Sequence, residues 1–248
     1  MSLPTINVPQ YEVILPSTKE NVTYRPFLVR EEKILLLALE DGGDKALAMA
    51  LKQIVNNCTF EKLPVNDLPL FDLEFMFLRI RSKSVGEVAD LKLLCEDDGE
   101  TYADVSIPLD DINIEFPEGH DPVVKLNDEV TLMMSYPTFE MLGTDMQTMD
   151  VEKTFDLIGS CIKQVIEGET IHEKSDWNKK ELGSFLDSLT SKQFADVQKF
   201  FETMPKLSYE VEFVNPKTKE KNKMTLEGLQ SFLLICLLFG IRELVRLV

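Results

Sequence analysis

The sequence predicts an α+β fold that is mostly helical, with three β-hairpins and a small antiparallel sheet. Three observations lead to this prediction. Apolar residues recur at helical spacing in several long segments. Three pairs of short segments, rich in β-branched and aromatic residues, each flank a polar turn, as the arms of a hairpin do. Glycine or proline separates many of these segments, so we expect helices and hairpins to follow one another along the chain.

The first half of the chain combines two hairpins with three helices. In order, the predicted elements are a hairpin of strands 11–15 and 22–27, helices 29–40 and 45–57 that form an αα-hairpin, a helix that starts near Pro69, and a hairpin of strands 88–94 and 102–109. The third helix is apolar almost all round, which indicates burial on more than one side. Gly86 marks its end, and the alternation of apolar and polar residues beyond it is typical of a strand.

Short strands follow, and the chain then returns to helix. The predicted elements are strands 112–116, 123–126 and 130–136, helices 151–167, 179–189 and 191–203, a hairpin of strands 209–214 and 224–226, and a last helix 227–247. Asp176 is the expected cap of the helix at 179–189. Thr190 and Gln193 have the spacing of a capping box for the next helix. Residues 168–175 are polar and patternless, and we expect them to form a connection.

The domain organisation is less clearly marked than the elements. No long linker rich in proline, glycine or serine divides the chain, and the change from mixed to helical character near Asp145 is the best candidate boundary. We predict a mixed α/β region at 1–144 and a mainly helical region with one hairpin at 145–248. One continuous domain is the alternative.

The composition indicates a folded, strongly acidic protein. Its 248 residues are 44% hydrophobic and 28% charged, which suits a chain with a buried core. The formal net charge is −17. A surface of this sign repels phosphate, so we expect no nucleic acid and no anionic membrane as a partner. Two interpretations stay open: the charge attracts a basic partner, or it only provides solubility.

Cysteine usage and the chain ends favour a reducing compartment without a membrane anchor. The four cysteines, Cys58, Cys95, Cys161 and Cys236, have no CxxC spacing, so we expect neither disulfides nor a thiolate metal site. The first residues lack the charged and apolar regions of a signal peptide. The most apolar run, 232–241, is shorter than the roughly 20 residues that span a bilayer.

The second and third hairpins echo each other and resemble degenerate zinc-knuckle hairpins. Each is an apolar strand, a tight polar turn and a second strand. A zinc site needs four ligands, usually Cys or His. The first turn offers only Cys95, the second starts at Asn215 and has no thiol, and neither His120 nor His172 completes a set. The sequence therefore predicts hairpins that keep the turn but lack the metal.

Signatures of catalysis are missing from the sequence. It contains no P-loop, no dinucleotide fingerprint and no GxSxG elbow. Two histidines leave little material for acid–base chemistry, and the acidic pairs lack the spacing of a calcium loop. We therefore predict a protein that is not an enzyme, with no catalytic residues, no cofactor and no metal.

Three places are candidates for partner binding, and each has a plainer alternative. Asp97 and Asp98, in the acidic turn, either form a solvated face or dock a basic partner. Arg25, where the first hairpin meets the first helix, either positions the hairpin, lies in a solvated turn or contacts a partner. The last helix carries too many apolar residues for one-sided packing, so it is either core or covered by a partner; the candidates are Phe232, Leu234, Ile235, Leu238 and Phe239.

Several stretches together resemble a known family. They are Tyr-Glu-Val-Ile-Leu-Pro at 11–16, the run from Val-Thr-Tyr-Arg-Pro-Phe at 22–38, the segment 188–207 with Phe-Phe-Glu-Thr-Met-Pro, and Thr-Leu-Glu-Gly-Leu-Gln-Ser-Phe-Leu at 225–233. As an ordered set they are similar to the T-even-type bacteriophage base plate protein family, which contains baseplate hub assembly proteins of contractile-tailed phages. Relatives often carry Cys-Pro-x-Cys-Gly in the hairpin turns, and this chain departs from that pattern in both.

The resemblance implies a role in tail assembly. We expect an assembly factor or chaperone that binds other phage baseplate hub and tail proteins; the alternative is a structural hub subunit retained in the virion. It implies localisation in the host cytoplasm during assembly or in the tail baseplate, allows homo-oligomerisation, and supplies no catalytic residues.

Overall fold

A computed structural model describes residues 6–41, 44–142 and 151–227. Helices take 40% of these residues and strands 29%, and the strands form four antiparallel sheets. The protein is therefore α+β, but the prediction that it is mostly helical is wrong.

The helices and strands have the following bounds. The helices are α1 Val29–Asp41, α2 Asp44–Cys58, α3 Leu70–Val85, α4 Phe139–Leu142, α5 Val151–Ser160, α6 Lys179–Asp187 and α7 Ser191–Thr203. The strands are β1 Tyr11–Ile14, β2 Asn21–Tyr24, β3 Val88–Leu94, β4 Tyr102–Pro108, β5 Asn113–Glu115, β6 Val123–Lys125, β7 Val130–Met134, β8 Ile162–Glu167, β9 Thr170–Glu173, β10 Lys206–Val214 and β11 Lys221–Glu227. The three predicted hairpins are confirmed as β1–β2, β3–β4 and β10–β11.

The described residues group into two compact units. Of the described residues, unit 1 contains 6–41, 44–65, 71–115 and 206–227, and unit 2 contains 66–70, 116–142 and 151–205. The predicted boundary near Asp145 lies outside the described residues and stays a prediction.

Unit 1 contains the three hairpins and the helices α1, α2 and α3. In α3 every residue from Phe71 to Ser82 is buried except Glu74, which confirms the prediction of burial on more than one side. The third hairpin has a third strand, because β5 pairs with β10 through residues 113–115 and 206–208. The strand predicted at 112–116 is thus present, but it pairs with a segment far away in sequence.

Buried polar side chains of α3 bond the loops around them. Asp72 accepts hydrogen bonds from the backbone and the hydroxyl of Ser17 in the β1–β2 turn. The Arg79 guanidinium donates to the carbonyls of Leu109 at 2.9 Å and Ile112 at 2.7 Å. Because an unpaired buried polar group would be costly, these bonds fix where the loops lie on the helix.

Unit 2 packs helices on the four-stranded sheet β6-β7-β8-β9. Side chains from the sheet and from α5, α6 and α7 form one apolar core: Val124, Leu126, Leu132, Met134, Ile158, Cys161, Ile162, Leu186, Val197 and Phe200. Gly159 of α5 allows close packing on α6, since a Cβ there would lie 2.8 Å from the Leu182 Cδ2 atom.

The prediction of one helix over 151–167 is wrong. Helix α5 ends at Ser160, and β8 begins at Ile162 and pairs with β7 on one side and β9 on the other. The apolar spacing of 162–167 fits a helix, but β-branched residues also suit a central strand, and the two neighbouring strands decide between them. The segment 168–175 is likewise not a plain connection, because it contains β9.

Of the two helix caps predicted in unit 2, one is confirmed and the other is wrong. Thr190 and Gln193 form the predicted capping box of α7. Helix α6 is capped by Asn178, whose side chain accepts from the backbone N–H groups of Lys180 and Glu181, and not by Asp176. Asn178 directly precedes the first helical residue, which is the position that a cap requires.

Both ring nitrogens of His120 contact hydroxyl groups. Its Nδ1 lies 3.0 Å from the Thr203 Oγ1, and its Nε2 lies 3.1 Å from the Tyr136 hydroxyl. Thr203 donates its own proton to the Lys199 carbonyl at 2.8 Å, so its oxygen accepts from a protonated Nδ1. The Phe200 ring packs against the His120 ring, with 5.2 Å between the ring centroids. Burial lowers the pKa of His120, against a smaller opposite effect of Asp121.

We expect unit 2 to lose stability as the pH falls. A histidine whose pKa is lower in the folded protein stabilises it fully above its unfolded pKa of about 6.5, and that contribution decreases below this pH. Urea denaturation of the unit, followed by the fluorescence of Trp177, should give a smaller free energy of unfolding at pH 5.5 than at pH 7.5. In His120→Gln this difference should shrink; an unchanged difference would contradict the assignment.

Candidate interaction surface

One face of the β3–β4 hairpin is exposed to solvent and carries apolar pairs at both ends. Val88 opposes Pro108 at one end, and Leu94 opposes Tyr102 at the other. The exposed fractions are 50% for Val88, 38% for Leu94 and 59% for Tyr102, which is high for apolar and aromatic residues. The opposite face is buried, because alternate residues of both strands point into unit 1.

The chain segment that carries these apolar pairs is rich in acidic residues. Between residues 87 and 111 the carboxylates are Glu87, Asp90, Glu96, Asp97, Asp98, Glu100, Asp104, Asp110 and Asp111. Lys92 is the only basic residue in this range, and its Nζ lies 3.6 Å from Asp104. Lysines from outside the range also pair with some of these carboxylates: Lys83 with Glu87 and Asp110, and Lys217 with Glu100 at 3.8 Å. We call the exposed strand residues together with the turn 96–100 the β3–β4 face.

The β3–β4 turn is tied to the β10–β11 turn by hydrogen bonds to one carboxylate. Asp97 accepts from the Asn215 amide at 2.9 and 3.0 Å, from the Asn222 amide at 2.9 Å, and from the Thr218 hydroxyl. Asn222 returns two bonds, since its Oδ1 accepts from the backbone N–H groups of Glu96 and Asp97. These four side chains, Asp97, Asn215, Thr218 and Asn222, form the Asp97 cluster.

Both predicted turn carboxylates are held in the charged form. Hydrogen bonds from Thr218 and Asn215 lower the pKa of Asp97. Bonds from the Thr101 hydroxyl and backbone lower the pKa of Asp98, which closes its own turn. Asp98 therefore shapes the turn, and Asp97 joins two turns.

The comparison with protein families decides what kind of protein carries this face. The model of the family described as T4 bacteriophage base plate protein matches residues 8–234. The chain belongs to this family. No curated protein and no solved structure is significantly similar to the chain.

Membership of the T4 base plate family has direct consequences for location and partners. It points to a baseplate protein of a phage, to contacts with other tail and baseplate proteins, and to the virion tail as a location. None of the helices in the described ranges is long and apolar enough to cross a membrane.

The likeness of two hairpins to zinc knuckles is not supported. Among the described residues no group of three or more His, Cys, Asp or Glu side chains is placed to hold a metal ion. The two turns contact each other through the Asp97 cluster, whose donors are amides and a hydroxyl. Cys95 is fully buried at the base of its turn. These hairpins are therefore better described as joined by a carboxylate–amide cluster.

Arg25 lies inside unit 1 rather than on its surface. It is 6% exposed, and its guanidinium forms two bonds with the Glu31 carboxylate, at 3.0 and 3.2 Å. It also donates to the carbonyls of Pro26 and Asn57. These contacts fasten the end of the first hairpin to α1 and α2; a partner contact of Arg25 stays a prediction.

Phe232, Leu234, Ile235, Leu238 and Phe239 lie outside the described residues. The missed residues are the amides of the Asp97 cluster, Asn215 and Asn222, which are 0% and 6% exposed. A signal for Asn222 exists, since it stands at an inward position of an alternating strand where an apolar residue is usual.

Proposed function

We propose that the protein is a non-enzymatic assembly factor of the baseplate hub that acts through protein–protein contacts. The β3–β4 face is the observation that carries this proposal. Exposed apolar pairs on a segment rich in acidic residues suit a partner surface with an apolar centre and basic rim. The partner is another baseplate protein, as the family indicates.

The non-enzymatic part of the proposal is supported by the state of the reactive side chains. Burial raises the pKa of the Cys58 and Cys161 thiols to about 12, so neither is a nucleophile near neutral pH. Both ring nitrogens of His120 are engaged by hydroxyl groups.

Charge reversal on the β3–β4 face tests the proposed contact. In Glu96→Lys/Glu100→Lys the Asp97 cluster keeps its side chains, but the turn becomes basic. We expect binding of the basic partner to weaken at least about tenfold, because attraction is replaced by repulsion. The measurement is affinity capture from infected cells, with mass spectrometry of the captured phage proteins.

Asp128→Lys/Glu129→Lys provides the matched control. These two carboxylates are exposed in the β6–β7 turn, so the net charge changes equally while the β3–β4 face stays intact. Equal loss of baseplate proteins in both variants would mean that only net charge matters, and unaltered capture in both would remove the face from the proposal.

A structural hub subunit retained in the virion is the second candidate, favoured by the family description itself. Quantitative mass spectrometry of purified virions separates the two. We expect the protein to be absent or far below the amount of hub subunits; a stoichiometric amount would contradict the assembly-factor proposal.

The apolar segment at 232–239 is a second proposed contact, which rests on the sequence alone. Charge substitution at Leu234 or Leu238 distinguishes its two interpretations. A folded variant that no longer co-purifies with baseplate proteins supports a contact, whereas a variant that fails to fold supports a core position.

A further inference from the structure

Unit 2 contains a cleft beside Trp177, which we call the Trp177 cleft. Its volume is about 370 Å³, near the lower end of the roughly 300–1,000 Å³ of small-molecule sites. The sheet contributes residues of β7, β8 and β9, and α6 closes the other side with Leu182 and Phe185. A cleft of this size suits one long side chain better than a large cofactor.

The lining of the Trp177 cleft combines aromatic and apolar groups with negative charge. Trp177, Leu182 and Phe185 supply apolar surface, and Glu167, Asp176 and Glu181 supply three carboxylates. Among the described residues that line it, none is lysine or arginine. The one other titratable group is His172, whose Nε2 lies 3.6 Å from the Glu167 carboxylate.

Two of the carboxylates are fixed by backbone hydrogen bonds. One oxygen of Asp176 accepts from the Glu173 N–H at 2.8 Å, and one oxygen of Glu181 accepts from the Asn178 N–H at 2.9 Å. Each belongs to a capping box at the start of a helical turn. The negative charges are therefore held at the cleft without a ligand, so little ordering is needed on binding.

We propose that the Trp177 cleft binds an arginine side chain of a partner protein. Charge complementarity requires a cation, and the apolar lining accommodates a methylene stem. A planar guanidinium stacks on aromatic rings and forms paired bonds with carboxylates, which an ammonium group does less well. The identification of the occupant as part of a protein rests on the proposed function; the preference for arginine rests on the cleft alone.

The experiment uses the one tryptophan of the chain as its reporter. The full-length protein is titrated with N-acetyl-arginine amide, and Trp177 fluorescence is recorded at low salt. We expect a saturable change with a Kd of the order of millimolar. N-acetyl-citrulline amide, which has nearly the same shape without the charge, should bind at least about tenfold more weakly, and N-acetyl-lysine amide should lie between them.

Three variants locate the binding. Glu181→Gln keeps the capping-box geometry but removes one charge, and Phe185→Leu keeps an apolar side chain but removes the ring. Each should weaken binding about threefold to tenfold. Glu169→Gln, an equal charge change at an exposed turn residue outside the cleft, should bind as the unaltered protein does. Circular dichroism verifies that the variants are folded.

The outcomes separate this inference from the proposed function. No saturable change, equal binding of arginine and citrulline derivatives, or unaltered binding by both cleft variants would overturn the arginine site. Capture of baseplate proteins from infected cells is measured separately. If the arginine derivative binds as expected while no baseplate protein is captured, the cleft stands and the assembly role fails; capture without arginine binding gives the reverse result.

Discussion

Replacing Glu31 with glutamine is expected to lower the free energy of unfolding by about 3–5 kcal/mol, because it removes one partner of a buried ion pair. The Glu31 side chain is fully buried. One of its oxygens accepts from Arg25, Arg30 and Asn57, and the other from Arg25 and the Leu28 N–H. Glutamine can accept at one end only, and its NH₂ group would face donors at the other.

The same carboxylate makes stability depend on pH. Burial alone would raise the Glu31 pKa, but hydrogen bonds from Arg25, Leu28 and Arg30 lower it from 4.5 to about 2. A carboxylate whose pKa is lowered by folding stabilises the protein above its unfolded pKa. The contribution, about 3 kcal/mol by linkage, is therefore lost as the pH falls from about 4.5 towards 2.

Chemical denaturation followed by circular dichroism checks both expectations. Glu31→Gln should be destabilised at pH 7. Between pH 5 and pH 2, its free energy of unfolding should decrease less than that of the unaltered protein. Glu32→Gln is the control, since Glu32 is the next residue of α1 and only half-buried; its effect should stay within about 0.5 kcal/mol. Equal effects of the two variants would show that Glu31 does not hold Arg25 as described.

Replacing Asn222 with alanine should cost about 2–3 kcal/mol, the second largest expected effect. Its amide donates to Asp97 and to the Glu220 carbonyl, while its oxygen accepts from the N–H groups of Glu96 and Asp97. Alanine would leave these partly buried groups without a partner. The loss should appear as a lower denaturation midpoint with a similar slope.

A second substitution tests the charge of the Asp97 cluster. Asn222→Asp keeps an acceptor for the two N–H groups but places a second carboxylate beside Asp97. This variant should therefore be less stable than Asn222→Ala at pH 7, and its stability should recover at low pH. Asn21→Ala is the control, because Asn21 bonds only an exposed glutamate in the first hairpin. A loss in Asn21→Ala as large as in Asn222→Ala would argue against the cluster.

Local signals in the sequence predicted much of the fold. The alternation in the β3–β4 hairpin and the capping box of Thr190 depend on neighbours within a few positions, and both are present. The acidic turn at Asp97 and Asp98 could be predicted from the run of acidic residues in the sequence. Its exposure follows from the polar turn between two half-buried strands.

Features set by distant segments were not predictable in this way. The strand β8 exists because β7 and β9 pair with it, although its apolar spacing also fits a helix. The Asp97 cluster joins residues more than a hundred positions apart. The Trp177 cleft combines three strands, a helical turn and a helix, and no single segment displays it. The sequence pattern of one segment does not show which distant segment will pack or pair with it, and that distant segment decides such features.

The pairing of β5 with β10 has a consequence during translation. Strand β5 ends at Glu115, and its partner begins at Lys206, roughly ninety residues later. At about 5–20 residues per second, the ribosome needs about 5–20 s to supply that partner. For this interval the nascent chain presents an unpaired β5 edge and an Asp97 turn without its amides, whereas the four strands of unit 2 are all synthesised before the interval ends. Unit 1 is thus finished last, and a chain stopped before residue 206 lacks the strands that close it.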